Sequence, residues 1–350
     1  MPDKSIIVKK NHSTKINQLY SNGNGKEVHD YLSTLGLKDI LETAAEFAEE
    51  GHLSSSGLLL SPYLQKELDK KPALTEIEKI ILDKDFNYNF RAFVLDGITH
   101  SKTIKGFNDD QIINTMLSIA KDSSEKGFLR RFALLNLRAP NSYYKKGTTD
   151  TQSELIDIFN DKNTPAEVRG AAITAMHRTG DPNFLTAVEE VLNSSSNHPD
   201  ELIRCAAIEA AKSKKNKDSY TQKLREIANK TQNKDVYGST IFSLGIIGSS
   251  DAVIAILDNY GRFEDNLSCD SALKRNYKTI ISMINLNQPQ KNIVLAIKAA
   301  KVAGLTPALE ALEQIVASSQ DQSLINIAKD AISYIKSNPA SDNYQKWEVE

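Results

Sequence analysis

The chain has 350 residues, of which 40% are hydrophobic and 25% are charged, and its formal net charge is −2. This composition is typical of a soluble globular protein with a sizeable core, and the near-neutral charge argues against a dedicated nucleic-acid binder. No stretch approaches the roughly 18 apolar residues of a membrane span, so no membrane insertion is expected.

The cysteines and the amino terminus bear on the cellular compartment. Cys205 and Cys269 are the only cysteines and have no CxxC spacing, which favours two free thiols. The first residues lack the apolar region of a signal peptide. We expect a cytoplasmic protein if Met1 is the native start, whereas an exported origin stays open if Met1 was added to a trimmed chain.

Four regions follow one another along the chain. Residues 1–25 are polar and predict a flexible arm, and residues 26–74 contain helical patterns that predict an N-terminal helical cap. Residues 75–337 predict a continuous series of amphipathic helices, and residues 338–350 predict a polar tail. No sustained alternation of apolar and polar residues competes with this all-α prediction.

A helical segment recurs within the third region. When the copies are aligned, we call the second residue of each copy its anchor. Successive anchors are 33 to 40 residues apart, which is the period of a two-helix solenoid unit. The anchors are Arg91, Arg131, Arg169, Arg204, Tyr237 and Lys274. A second amphipathic helix lies between successive copies, so each unit is predicted to be a helix pair that packs on its neighbours.

The clearest copy is TPAEVRGAAITAMHRTGD, residues 164–181. Pro165 favours a helix start and Gly180 favours a helix end. The small residues between them predict a helix that packs on more than one side.

This copy and the segment PDELIRCAAIEAA resemble HEAT repeats, and in particular the HEAT-like repeats of phycobilin lyase-type proteins. The resemblance depends on the Val-Arg dyad, the Ala-Ala pair and the closing Gly-Asp. It implies a right-handed α-solenoid of about seven stacked helix pairs, in which the second helices line a concave face.

The arginine anchors allow two interpretations. In the structural one, each arginine binds the end of a neighbouring helix or a carboxylate in the preceding link, with Asp83, Asp122 and Asp161 as candidates. In the functional one, the guanidinium groups face an acidic partner.

A second stripe lies five residues after each anchor and is expected to face solvent. It mixes carboxylates, polar groups and a phenyl ring, which favours a protein or peptide partner over a phosphate backbone. The residues expected to contact the partner are Arg131, Asn136, Arg169, Thr174, Arg204, Glu209, Tyr237 and Phe242. The alternative for Phe242 is that the next repeat covers it.

A long connection, residues 139–149, is a further candidate for recognition, with an ordinary surface loop as the alternative.

Enzymatic motifs are not found in the sequence. The six histidines have no HxxxH or HExxH spacing, and there is no GxSxG or phosphate loop. We therefore predict no metal, no cofactor and no catalytic residue, and a monomeric, non-catalytic scaffold that binds a protein or peptide. The family resemblance keeps one alternative open, a bilin lyase-like or other enzyme that handles a small molecule.

Overall fold

A computed structural model describes residues 12–22, 25–51, 53–68, 74–100, 109–137, 149–213, 217–263 and 266–340. Within these ranges the chain forms twenty α-helices and no strand, which confirms the predicted all-α solenoid class. None of these helices combines the length and the apolar character needed to cross a membrane. Residues 139–148 of the connection considered for recognition and residues 341–350 of the tail lie outside the described residues.

The chain divides into two compact units, residues 1–183 and residues 184–350. The helices of the first unit are α1 His12–Ser21, α2 Gly25–Ser33, α3 Leu37–Glu49, α4 Leu53–Leu68, α5 Leu74–Leu82, α6 Tyr88–His100, α7 Asp109–Lys121, α8 Gly127–Asn136, α9 Thr149–Asn160 and α10 Ala166–Thr179.

The helices of the second unit are α11 Phe184–Asn193, α12 Asp200–Lys212, α13 Thr221–Lys230, α14 Lys234–Ile247, α15 Ser250–Asp258, α16 Leu267–Arg275, α17 Tyr277–Met283, α18 Gln290–Val302, α19 Leu309–Ser318 and α20 Gln322–Ser337. Short 3-10 helices cover Ser195–Asn197, Lys217–Tyr220 and Thr306–Ala308.

Each unit is a stack of helix pairs in two layers. In the first unit, α4, α6, α8 and α10 follow one another in one layer, while α5, α7 and α9 form the other. In the second unit, α12, α14, α16, α18 and α20 form one layer, and α11, α13, α15 and α17 form the other. The core of each unit lies between its layers, because helix pairs bury their apolar faces against their neighbours.

Helix α10 shows how the sequence directs this packing. It begins after Pro165 and ends at Gly180, whose φ of 68° is a left-handed C-cap conformation that glycine adopts at little cost. All its residues from Val168 to Met176 are buried. The predicted multi-sided packing of this small-residue helix is thus observed.

The last predicted copy of the repeat, residues 273–281, is not one helix. Helix α16 ends at Arg275, and α17 begins at Tyr277. Between them the buried side-chain amide of Asn276 donates to the carbonyls of Gly245 and Ala272, at 2.9 and 2.7 Å. These hydrogen bonds fix the break, so α16 pairs with α15 and α17 pairs with α18.

Part of the predicted flexible arm is helical. Helix α1 contacts α3, and its Ile16 side chain is buried. The backbone N–H of Ser13 donates to Glu46 at 2.9 Å, and the Ser13 hydroxyl donates to Glu50 at 3.1 Å. The carboxylates of Glu46 in α3 and of Glu50, which follows α3, therefore hold the start of α1, a long-range contact that the polar sequence does not reveal.

Candidate functional site

Three arginines of the first unit make the same contact. The Nε–H groups of Arg91, Arg130 and Arg169 donate to a backbone carbonyl ten residues earlier, at 2.6, 2.8 and 2.7 Å. The acceptors belong to Ile81, Ala120 and Phe159, which lie at the ends of α5, α7 and α9. The last carbonyls of a helix have no partner within it, so these arginines satisfy groups that burial would otherwise penalise.

This pattern supports the structural interpretation of the arginines and corrects its register. The residue of α8 that caps the preceding helix is Arg130, which is buried, and Arg131 is only half-buried. The predicted carboxylate partners also differ. Asp83, Asp122 and Asp161 each accept the backbone N–H two residues later, which is a local turn contact.

The arginines also join successive helix pairs. Arg91 makes a bidentate contact with Glu125 in the next link, at 3.0 and 2.7 Å, and both side chains are buried. Arg130 donates to the Thr164 hydroxyl at 3.2 Å, again 34 residues ahead. Lys84 makes a further contact of this kind, since its Nζ lies 2.5 Å from the Asp122 carboxylate. The hydrogen bonds that Lys84 and Ser124 donate to this carboxylate lower the pKa of Asp122 to about 2.

The anchors of the second unit behave differently. Arg204 remains partly exposed, and it contacts Glu201 at 2.9 Å and the Ser239 hydroxyl of α14 at 3.3 Å. Tyr237 is buried, and its hydroxyl donates to the carbonyl of Asn259 at 2.8 Å. Tyr237 therefore binds the end of the helix that follows it, α15, instead of the one that precedes it.

The second stripe splits into buried and exposed members. Asn136, Thr174 and Glu209 are buried, which corrects the expectation that they face solvent. The helices that carry these positions pack on neighbouring helices: α8 and α9 pack on α10, and α14 packs on α12. Phe242 keeps 47% of its surface exposed, so the next repeat does not cover it.

Phe242 borders an open groove between α14 and α16, of about 280 Å³. We call it the α14–α16 groove, and its lining residues are Gly238, Phe242, Gly245, Leu267, Ser268, Ser271, Ala272 and Arg275. Leu267, the first residue of α16, is 69% exposed. Two large apolar side chains thus face solvent at one groove, where single exposed ones are ordinary on a protein surface.

Two glycines shape the α14–α16 groove. A Cβ atom on Gly245 would lie 2.9 Å from the Cβ of Ala272 and 3.2 Å from its Cα, so only glycine allows this approach of the two helices. A Cβ atom on Gly238 would lie 3.6 Å from the Ser268 hydroxyl, which is an ordinary contact. The helices are therefore in close contact at Gly245, while Gly238 leaves space for an additional side chain.

The charged group of the α14–α16 groove is Arg275. Its guanidinium lies 5.6 Å from the centre of the Phe242 ring. Arg275 and Lys274 occupy the last turn of α16. A cation held against an aromatic face beside apolar side chains suits a ligand that combines an apolar group with a carboxylate.

The buried thiol in the same helix is not a reactive group. Cys269 lies 3.2 Å from the Tyr237 hydroxyl, and burial raises the pKa of both groups. Thiol reactivity requires the thiolate, which a raised pKa disfavours. This contact contributes to the packing of α14 against α16.

A second depression, of about 370 Å³, lies between α11, α12 and α13. It is lined by a serine-rich link and by charges of both signs, Lys223, Glu226 and Lys230. Mixed charges define no single ligand chemistry, so we take the α14–α16 groove as the candidate site.

The sequence identified Phe242 and missed the rest of the α14–α16 groove. Leu267 and Ser268 stand before the last predicted copy of the repeat, so the repeat pattern does not include them in a helix, whereas they begin α16. The signal that could have located α16 is the helical spacing of its buried residues, Cys269, Ala272 and Leu273, which is short and flanked by polar residues.

Comparisons with known proteins give weak likenesses. No family model and no curated protein sequence matches the chain. The structure of human deoxyhypusine hydroxylase in complex with glycerol matches 79% of this chain and 98% of its own, with 13% identity and a TM-score of 0.33. A computationally designed, self-assembling cyclic homo-oligomer matches 91% of this chain and 96% of its own, with 14% identity and a TM-score of 0.16. At these TM-scores neither likeness carries an activity or an assembly to this chain.

One prediction needs correction after these comparisons. The sequence motifs predict a chain that is not an enzyme, whereas the matched deoxyhypusine hydroxylase is an enzyme. The lack of familiar motifs therefore does not support a non-catalytic chain. No reaction is inferred from the match, because the likeness is too low to compare sites.

Proposed function

We propose that the chain is a HEAT-like binding protein that holds a segment of a partner protein in the α14–α16 groove. The observation that supports this proposal is the exposure of Phe242 and Leu267 on either side of one groove, with Arg275 against the Phe242 ring. The segment would place a large apolar side chain between Phe242 and Leu267 and a carboxylate at Arg275.

The size and openness of the groove favour a peptide over a small molecule. Pockets that enclose small molecules usually measure about 300–1,000 Å³ and bury most of the ligand. The α14–α16 groove, at about 280 Å³, is at the lower limit of this range and is open to solvent. An apolar side chain from a longer segment fits such a groove, and aromatic and arginine side chains commonly dominate the binding energy of protein interfaces.

Of the residues first expected at the interface, the accessible ones can take part. Phe242 lines the groove, and Arg204 of α12 stays partly exposed beside Ser239 of α14. Asn136, Thr174, Glu209 and Tyr237 are buried, and we assign them to packing between helices.

A peptide library displayed on phage and selected on the intact chain tests the proposal. We expect the enriched peptides to share a large apolar residue beside Asp or Glu. A synthetic consensus peptide should bind the Phe242→Ala and Arg275→Gln variants at least about tenfold more weakly, which corresponds to about 1.4 kcal/mol.

Phe128→Ala is the matched control, since Phe128 is 48% exposed but lies on α8 in the other unit. This variant should bind the peptide as tightly as the intact chain. If no sequence is enriched, or if Phe128→Ala weakens binding while Phe242→Ala does not, the α14–α16 groove is not the binding site.

A further inference from the structure

A histidine and two carboxylates meet where α1 packs on α3. His12 is the first residue of α1, and Asp39 and Glu42 lie in the first half of α3. One possible ligand atom from each of the three side chains lies within 4.8 Å of the other two. His12 is distant in the sequence from Asp39 and Glu42, so no ligand spacing predicts this group.

Two of these atoms are buried without a hydrogen bond. His12 and Glu42 are 8% and 7% exposed, and among the described residues neither His12 Nε2 nor Glu42 Oε1 has a hydrogen-bond partner. The charged contacts are longer, with 3.7 Å from His12 Nε2 to Asp39 and 3.7 Å from Lys38 to Glu42. Buried polar atoms that lack partners are costly, so their presence together calls for an explanation.

The imidazole of His12 is held by its other nitrogen. Nδ1 lies 2.6 Å from the Tyr31 hydroxyl. A histidine that binds a metal through one nitrogen usually donates from the other to an oxygen, which fixes the tautomer and the ring orientation. The contacts of Ser13 with Glu46 and Glu50 hold the start of α1 in place. His12 Nε2 is thereby directed towards the two carboxylates of α3.

The ligand chemistry is that of a divalent transition metal. An imidazole nitrogen and two carboxylate oxygens suit Zn²⁺, whereas Mg²⁺ and Ca²⁺ prefer oxygen ligands alone. Two ligand atoms that are each about 2.1 Å from a tetrahedral Zn²⁺ lie about 3.4 Å apart. The 3.7 Å between His12 Nε2 and Asp39 Oδ1 is close to this value.

We propose that His12, Asp39 and Glu42 bind one Zn²⁺-type ion, which joins α1 to α3 and leaves a fourth position for water. The ion gives both orphaned atoms a partner and balances the negative charge of the α3 carboxylates. The site is independent of the α14–α16 groove, which lies in the other unit.

Calorimetric titration of the chelator-treated full chain with ZnCl₂ tests this site. The intact chain should bind one equivalent of Zn²⁺. The conservative variants Glu42→Gln and Asp39→Asn, which keep the side-chain size, should bind at least about tenfold more weakly. Each replaces a charged metal ligand by a neutral amide, and even the loss of an outer-shell partner typically weakens metal affinity by about 10–100-fold. His12→Ala should lose the site.

The chain also provides matched controls. His29 pairs with Tyr63 as His12 pairs with Tyr31, and Glu49 is an exposed carboxylate of α3. His29→Ala and Glu49→Gln should leave Zn²⁺ binding unchanged, and circular dichroism should show that every variant stays helical.

No saturable Zn²⁺ binding by the folded intact chain would overturn the proposal and leave His12 and Asp39 as an ion pair only. Equal binding by the intact chain and by Glu42→Gln and Asp39→Asn would overturn it too. These outcomes are independent of the peptide experiment.

Discussion

At the scale of single residues, Arg130 and Arg131 are neighbours with different environments. Arg130 is buried and donates to the Ala120 carbonyl and the Thr164 hydroxyl, while Arg131 is half-buried. Arg130→Ala would leave buried acceptors without a donor, so we expect a loss of about 2–4 kcal/mol in the free energy of unfolding. Arg131→Ala should change it by less than about 0.5–1 kcal/mol. Urea unfolding of both variants measures the difference, and equal losses would contradict the corrected register.

Tyr260 makes the alkaline stability of the second unit sensitive to one side chain. The pKa of Tyr260 is raised to about 12, from 10.0 for an unperturbed tyrosine. Burial is the larger cause, and the hydrogen bond from the Tyr260 hydroxyl to Asp270, at 2.9 Å, is the second. Its contribution to stability is fully present below pH 10. That contribution is lost as the pH rises towards 12, because the unfolded chain ionises first.

Urea unfolding of the intact chain and of Tyr260→Phe at about pH 9 and about pH 11 tests this linkage. The intact chain should lose more stability over this interval than the variant, since lysine titration affects both equally. The same loss in both proteins would show that Tyr260 does not carry the pH dependence.

At the scale of the helices, α14 offers two glycines in different environments. Gly245→Ala would force α14 away from Ala272, and we expect it to destabilise the protein by about 1–2 kcal/mol after the gain in helix propensity is included. Gly238→Ala should be neutral or stabilise by up to about 1 kcal/mol, because its added methyl group meets only an ordinary contact. Thermal unfolding compares the two. A destabilised Gly238→Ala variant beside a neutral Gly245→Ala variant would contradict the described packing of α14 on α16.

The sequence predicts helix boundaries well where the capping residues and the pattern of small residues indicate the same helix. Pro165 and Gly180 bound α10 in the sequence as in the structure. The prediction failed at residues 273–281, because the break at Asn276 depends on hydrogen bonds to Gly245 and Ala272. Contacts between helices that are distant in the sequence cannot be read from a local periodicity.

At the scale of the whole molecule, the period of the repeat was enough to predict an all-α stack of helix pairs. It was not enough to predict which side of each helix stays open. Thr174 and Phe242 occupy equivalent positions of the repeat, yet Thr174 is buried and Phe242 is exposed, because α10 is enclosed on nearly all sides. The group formed by His12, Asp39 and Glu42 likewise depends on the docking of α1, which the polar sequence around it does not indicate.

The central claim is that the α14–α16 groove receives a partner's side chain, and the most direct measurement fills this groove from within. Gly238→Leu would place a side chain in the groove and leave Phe242, Leu267 and Arg275 unchanged. We expect this variant to stay folded and to bind the selected peptide at least about tenfold more weakly than the intact chain, with Gly238→Ala losing much less affinity. Undiminished binding by a folded Gly238→Leu variant would contradict the claim.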